Sequence, residues 1–289
     1  MHFHRLGCGT LVRTCAPSVS GRPHVSLAPP RSHVCVSQRR AWVQALPADT
    51  PSETSTDSAD TWSRLKLIKR KLEVATQEED YKLAAQLRDQ SKALMETLSP
   101  VQQYLHHQAS LLHTGAFPEK LNAIRAMAEA GDPVVIPDLA SALVDKELNE
   151  VAAGALWALF MRSHDPTLDD SMAEGCRLMA DPATHGDALA VLSDLVARAP
   201  HYSEAWNKRA TLLYMMRRFE DSIGDCKEVL ALQPYHFGAA SGMGLCYLML
   251  GREVEAVTAF ERALAINPGM SNISRVLGEL KKRLASQAE

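Results

Sequence analysis

A site needs reactive side chains at workable separations, and this chain offers few. Gly242-Met-Gly244 is the nearest approach to a phosphate-cradling loop, yet no strand pattern precedes it, as such a loop requires. His106 and His107 have no acid or cysteine at metal-ligand spacing and read as surface imidazoles. Cys176, Cys226 and Cys246 are isolated and lack C-x-x-C spacing, which fits small core residues in a reducing compartment. Glu78-Glu79-Asp80 crowd a solvated turn. G-x-x-x-x-G-K-[ST], H-E-x-x-H and G-x-S-x-G are all missing. No residue is therefore assigned to catalysis, cofactor or metal, and the expected role is non-enzymatic.

The elements around these residues are helical. From Thr61 onward apolar residues recur with helical period, no sustained alternation of period two occurs, and Gly and Pro fall mostly between the periodic segments. The expected fold is all-α. Six Arg and no acid lie in residues 1–46; removing those six from 31 Lys and Arg leaves 25 against 34 acids, a net of −9 beyond Arg40. Such a body repels a phosphate backbone, so direct contact with nucleic acid is not expected. No apolar run is long enough for a membrane span.

Residues 1–46 also carry Ser18, Ser20, Ser26, Ser32 and Ser37, the composition of an organellar transit peptide. Chloroplast import is favoured over mitochondrial, and a tail with no address is the third reading. Cys8, Cys15 and Cys35 belong to this leader. Residues 47–60 are a Pro-flanked Ser/Thr/Asp run with almost nothing to bury, expected as a disordered linker.

Residues 61–98 form an expected hairpin of two helices, with Leu65, Ile68, Leu72 and Ala75 facing Ala84, Leu87, Ser91 and Leu94. Its second half, Glu79-Asp-Tyr-Lys-Leu-Ala-Ala-Gln-Leu-Arg-Asp-Gln90, resembles the UVR motif of bacterial excision-repair proteins and of partners of Clp-type proteases. Ser91 departs from it, standing where the motif has an apolar residue. The resemblance implies protein docking through Tyr81, Leu87 and Arg88; alternatively Tyr81 closes the hairpin and Arg88 pairs with an acid such as Glu79.

Residues 99–166 are an expected helical spacer. Ser99-Pro100 caps a helix lined by Val101, Tyr104, Leu105, Leu111 and Leu112, and three helices follow between Pro118 and Pro166. Asp132–Leu143 with Glu150–Leu159 resembles a HEAT-type unit, and Gly131-Asp-Pro133 recurs as His164-Asp-Pro166 thirty-three residues on.

Aligned at a 34-residue period, Ser203–His236 places Trp206, Ala210, Tyr214, Phe219, Ser222, Val229 and Pro234. Phe237–Met270 places Gly244, Tyr247, Gly251, Ala256, Phe260, Ala263 and Pro268 without a gap. Small Ala210 and Gly244 let paired helices touch, Tyr247 and Phe260 fill larger holes, and Pro234 and Pro268 stop each second helix. These lines resemble tetratricopeptide (TPR) repeats. Asp169–Tyr202, with Cys176 at the small position, makes a degenerate first repeat, so three repeats occupy 167–270. Residues 271–289 hold a capping helix with Ile273, Val276, Leu277, Leu280 and Leu284 on its inner face. Glu204-Ala-Trp-Asn-Lys-Arg-Ala210 and His236–Gly244 are similar to a group of uncharacterised bacterial TPR proteins.

The resemblance implies a concave groove lined by the first helix of each repeat. Its partner-binding residues would be Arg177, Asn207, Arg209, Thr211, Tyr214, Met215, Ser241, Leu245 and Leu248, with Asn207 and Arg209 as polar anchors; the alternative for each is packing against the next helix. The basic, Asn-rich clamp of chaperone-binding TPRs is incomplete here, since Gly242 and other uncharged residues follow Asn207 and Thr211. The expected function is a protein-binding adaptor in an organelle, using groove and hairpin, with a Clp-type chaperone or protease as a candidate partner. The alternative is a factor recruited through protein to DNA repair or nucleic-acid metabolism.

Overall fold

The computed structural model describes residues 56–287, with side chains from 60 to 286. The leader and most of the expected linker lie outside them. Thirteen α-helices follow one another in these residues, joined by short turns.

Helix α1 (Thr56–Gln77) begins inside the segment expected as linker. Trp62 and Leu65 are buried, so the helix they anchor extends back over its polar start at little cost, propagation being easier than nucleation. Glu79 takes a left-handed φ of 58° and Asp80 accepts from the Leu83 amide at 3.0 Å, reversing the chain into α2 (Tyr81–Thr97). Between Lys69 and Thr97 only Ala75 and Leu87 are buried, so most of the hairpin stands in solvent.

Its root is held firmly. Trp62 and Leu65 join the core of α3 (Pro100–Thr114), α4 (Phe117–Ala130), α5 (Ile136–Ala142) and α6 (Asn149–Phe160), built on Leu105, Ile124, Met127, Leu139 and Leu156. The buried Asp138 carboxylate accepts from Trp62 Nε1 at 3.2 Å and Lys66 Nζ at 2.9 Å, with His113 at 3.7 Å. Burial opposes its charge, but these cationic and N–H neighbours win and hold its carboxyl below the usual range.

The repeated Gly/His-Asp-Pro signal is structural. Gly131 and His164 have φ of 76° and 62°, and Asp132 and Asp165 accept the amides of Val134 and Thr167 at 2.9 and 2.8 Å. Pro133 and Pro166 then start a 3-10 turn and α7 (Pro166–Leu178). At Gly131 a Cβ would collide with the Arg162 guanidinium, which donates to the Glu129 carbonyl at 3.0 Å.

The array continues as α8 (His185–Arg198), α9 (Ser203–Met215), α10 (Phe219–Leu232), α11 (Phe237–Met249), α12 (Glu253–Ile266) and α13 (Ser271–Gln287). Starts of α8, α10 and α12 lie 34 residues apart, as do those of α9, α11 and α13. The left-handed turn residues Arg217 and Gly251 keep the same period. Helix α7 breaks it, starting three residues early and followed by a turn over Pro182–Thr184. The close approach expected at Cys176 is consequently made by Gly175, where a Cβ would sit 2.7 Å from Leu192. In the last repeat a Cβ on Gly244 would sit 2.5 Å from Phe260, the residue in Leu192's place two periods on. Helix α13 covers that repeat with Ile273, Val276, Leu277, Leu280 and Leu284 against Tyr247 and Phe260.

Candidate functional site

The groove face of α9 and α11 divides into two halves. At the C-terminal ends of these helices Thr211, Tyr214, Leu245 and Leu248 are half-buried, and Met215 and Met249 are 38% and 50% exposed. The methionines are 34 residues apart, so each repeat presents one at the same place. Tyr214 is fixed edge-on to Phe219, with 5.6 Å between ring centres. Thr211 donates to the Asn207 carbonyl at 2.9 Å. This half offers adaptable thioether and aliphatic surface and little charge.

The other half is filled by the chain itself. Helix α6 lies along the corners where one repeat turns into the next. Tyr202 donates to the Met161 carbonyl at 2.6 Å at the first corner, Trp157 and Phe160 meet His236 at the second, and Asn149 donates to Asn267 at 2.8 Å at the third. Phe160 stacks on His236 at 4.6 Å between centres, while Trp157 meets His236 and Phe237 edge-on at 5.3 and 5.4 Å. A Cβ on Gly238 would sit 2.6 Å from the Trp157 ring, so only glycine admits that ring.

Beneath these rings lies a closed polar network. His236 Nδ1 accepts from the Ala239 amide at 3.0 Å, capping α11, which leaves the proton on Nε2 to be donated to Glu204 at 2.9 Å. Glu204 also receives Asn207 at 3.0 Å and Lys208 at 3.2 Å. Both Glu204 and His236 are fully buried. Burial opposes the Glu204 charge, but its donors hold the carboxyl below the ordinary range.

These facts correct the expected anchors. Asn207 is buried and bound to Glu204, because α6 closes the groove over it. Arg209 forks onto Asp225 of α10 at 2.8 Å through two nitrogens and lies 4.9 Å over Trp206, so it ties helix to helix. Ser241 is buried and donates to the Gly238 carbonyl at 2.9 Å. Arg177 is exposed but forks onto Glu174 of its own helix at 2.7–2.8 Å. Thr211, Tyr214, Met215, Leu245 and Leu248 stay together in the open half. Met249 was missed, though its 34-residue offset from Met215 signals it.

On the hairpin, Tyr81 is 70% exposed and Arg88 is exposed and paired with Asp89 at 3.2 Å, not with Glu79. Leu87 is buried in the seam and cannot be a contact. His106 packs edge-on to Trp62, and burial together with Lys69 pushes its pKa down. Burial pushes the Cys226 and Cys246 thiols up, and Cys246 touches the Ser222 hydroxyl at 3.2 Å. Among the described residues no group of His, Cys, Asp and Glu could hold a metal, and no helix is long and apolar enough to cross a membrane.

Residues 185–237 and 238–270 each match the tetratricopeptide repeat family. The array is made of TPR repeats. A TPR repeat-containing protein of Rhizobium etli is 37% identical over 98 residues, 34% of this chain and 48% of that one. The Hsp70-Hsp90 organizing protein of Triticum aestivum is 28% identical over 100 residues, 35% of this chain and 17% of that one. The chain thus spans about half the length of the first relative and a smaller share of the second. Among solved structures, the first TPR of Spaghetti bound to an HSP90 peptide matches at 19% identity and a TM-score of 0.39, over 41% of this chain and 93% of that one.

Proposed function

We propose that the chain is a non-enzymatic protein-binding scaffold whose TPR array receives an apolar segment of a partner in the open half of the groove. The observation that carries this reading is the register-related surface of Tyr214, Met215, Leu245, Leu248 and Met249, from which Asn207 and Arg209 are withdrawn by internal bonds. A carboxylate-terminated peptide would find few cations there, whereas an apolar helix or extended segment would find methionine and leucine. The hairpin supplies a second docking element, and a Clp-type chaperone or protease is the partner class that its UVR-like sequence favours. Residues 1–46 direct the protein to the chloroplast, with the mitochondrion as the alternative.

The test is affinity purification of the tagged chain from isolated organelles, repeated with Leu245→Glu/Met249→Glu and with residues 61–98 deleted. Loss of one stoichiometric partner with the groove variant and of another with the deletion supports two docking ends. An unchanged partner set in both refutes the proposal. A fluorescent fusion of residues 1–46 that stays in the cytosol refutes the import reading.

A further inference from the structure

The hairpin carries a charged stripe that neither its fold nor the groove uses. Between Arg64 and Lys71 stand five cations, Arg64, Lys66, Lys69, Arg70 and Lys71, and no acid. Two are committed internally, Lys66 to Asp138 at 2.9 Å and Lys69 to the Ser110 hydroxyl at 3.4 Å. Arg64 is exposed and only 3.7 Å from the equally exposed Asp60, while Arg70 and Lys71 are exposed and make no ion pair among the described residues. Between them Leu67 and Val74 are 51% and 49% exposed.

The spacing matters. Leu67, Arg70, Lys71 and Val74 are i, i+3, i+4 and i+7, with Arg64 at i−3, so all share one side of α1. That side lies beside the seam and not in it, because the seam takes Ala75 with the flanking Ile68 and Leu72. The stripe is thus two apolar knobs a heptad apart, flanked by three cations, on the part of the hairpin that stands in solvent.

We infer that this stripe of α1 docks an acidic amphipathic helix of a partner protein. Leu67 and Val74 would enter the partner's apolar row, and Arg64, Arg70 and Lys71 would meet carboxylates beside it. Other polyanions fit less well. A phosphate backbone has no use for the two apolar side chains, the stripe has no aromatic ring on which a base could stack, and the acidic body repels long polyanions. A membrane would need a broad apolar face, which α1 spends on its seam. The proposal gives the hairpin's docking role a location and a partner chemistry. It moves the contact away from Leu87, and it stands or falls separately from the groove.

The test uses the purified full chain and a fluorescein-labelled synthetic helix of leucine and glutamate, with leucines at every third or fourth residue, followed by anisotropy. Scrambled peptide of the same composition, duplex DNA and phosphatidylglycerol vesicles serve as competing probes. The expected result is binding of the ordered acidic helix, weakened about tenfold or more by Arg70→Glu/Lys71→Glu and also weakened by Leu67→Ser. The doubly reversed chain should gain affinity for the same helix made with lysine in place of glutamate, a gain that a misfolded variant would not show. Equal binding of scrambled peptide, indifference to the stripe variants, or tighter binding of DNA or vesicles through the same residues would overturn the proposal. None of these probes reports on Leu245 or Met249, so failure here leaves the groove reading intact.

Discussion

Replacing His236 by Ala removes three things at once from the corner between the second and third repeats. The α11 amide of Ala239 loses its cap, worth about 0.5–2 kcal/mol. The ring contacts with Phe160 and Trp157 are lost, worth about 0.5–1.5 kcal/mol for an aromatic pair. Glu204 loses its shortest partner in a fully buried place, at about 1–3 kcal/mol, near the lower end because Asn207 and Lys208 remain within 3.0 and 3.2 Å. The expected destabilisation is about 3–4 kcal/mol, within the range for breaking a buried pair. Urea unfolding followed by tryptophan fluorescence suits the measurement, because Trp157 packs on the deleted ring. Adding Glu204→Gln to His236→Ala should recover part of the loss, since a neutral amide is cheaper to bury than an unpaired carboxylate. A loss under about 1 kcal/mol for the single variant, or no recovery in the double, would refute the network as the link between α6 and the array.

Gly238→Ala should destabilise by about 1–3 kcal/mol in the same assay by forcing Trp157 outward, while Gly224→Ala, with open space around it, should not destabilise. Asp138 has a folded pKa below its ordinary 3.8, so its contribution is fully present above that value and lost as pH falls through the folded one. The melting-temperature gap between wild type and Asp138→Asn should therefore be widest near neutrality and narrow below about pH 4, with faster amide exchange in α1 for the variant at pH 7. Maleimide should label native Cys226 and Cys246 far more slowly than the half-buried Cys176, and urea should abolish the difference.

The helical array was legible because a 34-residue period repeats its small, large and stop positions, and helices from α8 to α13 keep it. The first repeat was legible only in its second helix. The three-residue shift of α7 comes from the added turn at Pro182–Thr184, which moves the close-packed position from Cys176 to Gly175 without altering the apolar pattern. Asn207 looked like a ligand anchor because a repeat pattern shows only which face a residue shares. What covers that face is set by Trp157, which meets Gly238 across 81 residues of sequence. Arg209 was misjudged for a related reason: its partner Asp225 sits on the next helix, and ion pairing between helices has no period. The exposed hairpin was readable as a hairpin, but burial alone separates its seam residue Leu87 from its outward residues Leu67 and Val74.

Hydroxyl-radical footprinting of the free full-length chain, corrected for intrinsic side-chain reactivity, tests most directly whether α6 fills one half of the groove and leaves the other open. Met215 and Met249 should be modified readily, while Phe160, His236 and Phe237, all buried where α6 meets the corner, should be protected as well as Met127 in the core. Modification of His236 and Phe237 at the level of Met215, or protection of both methionines, would contradict that division.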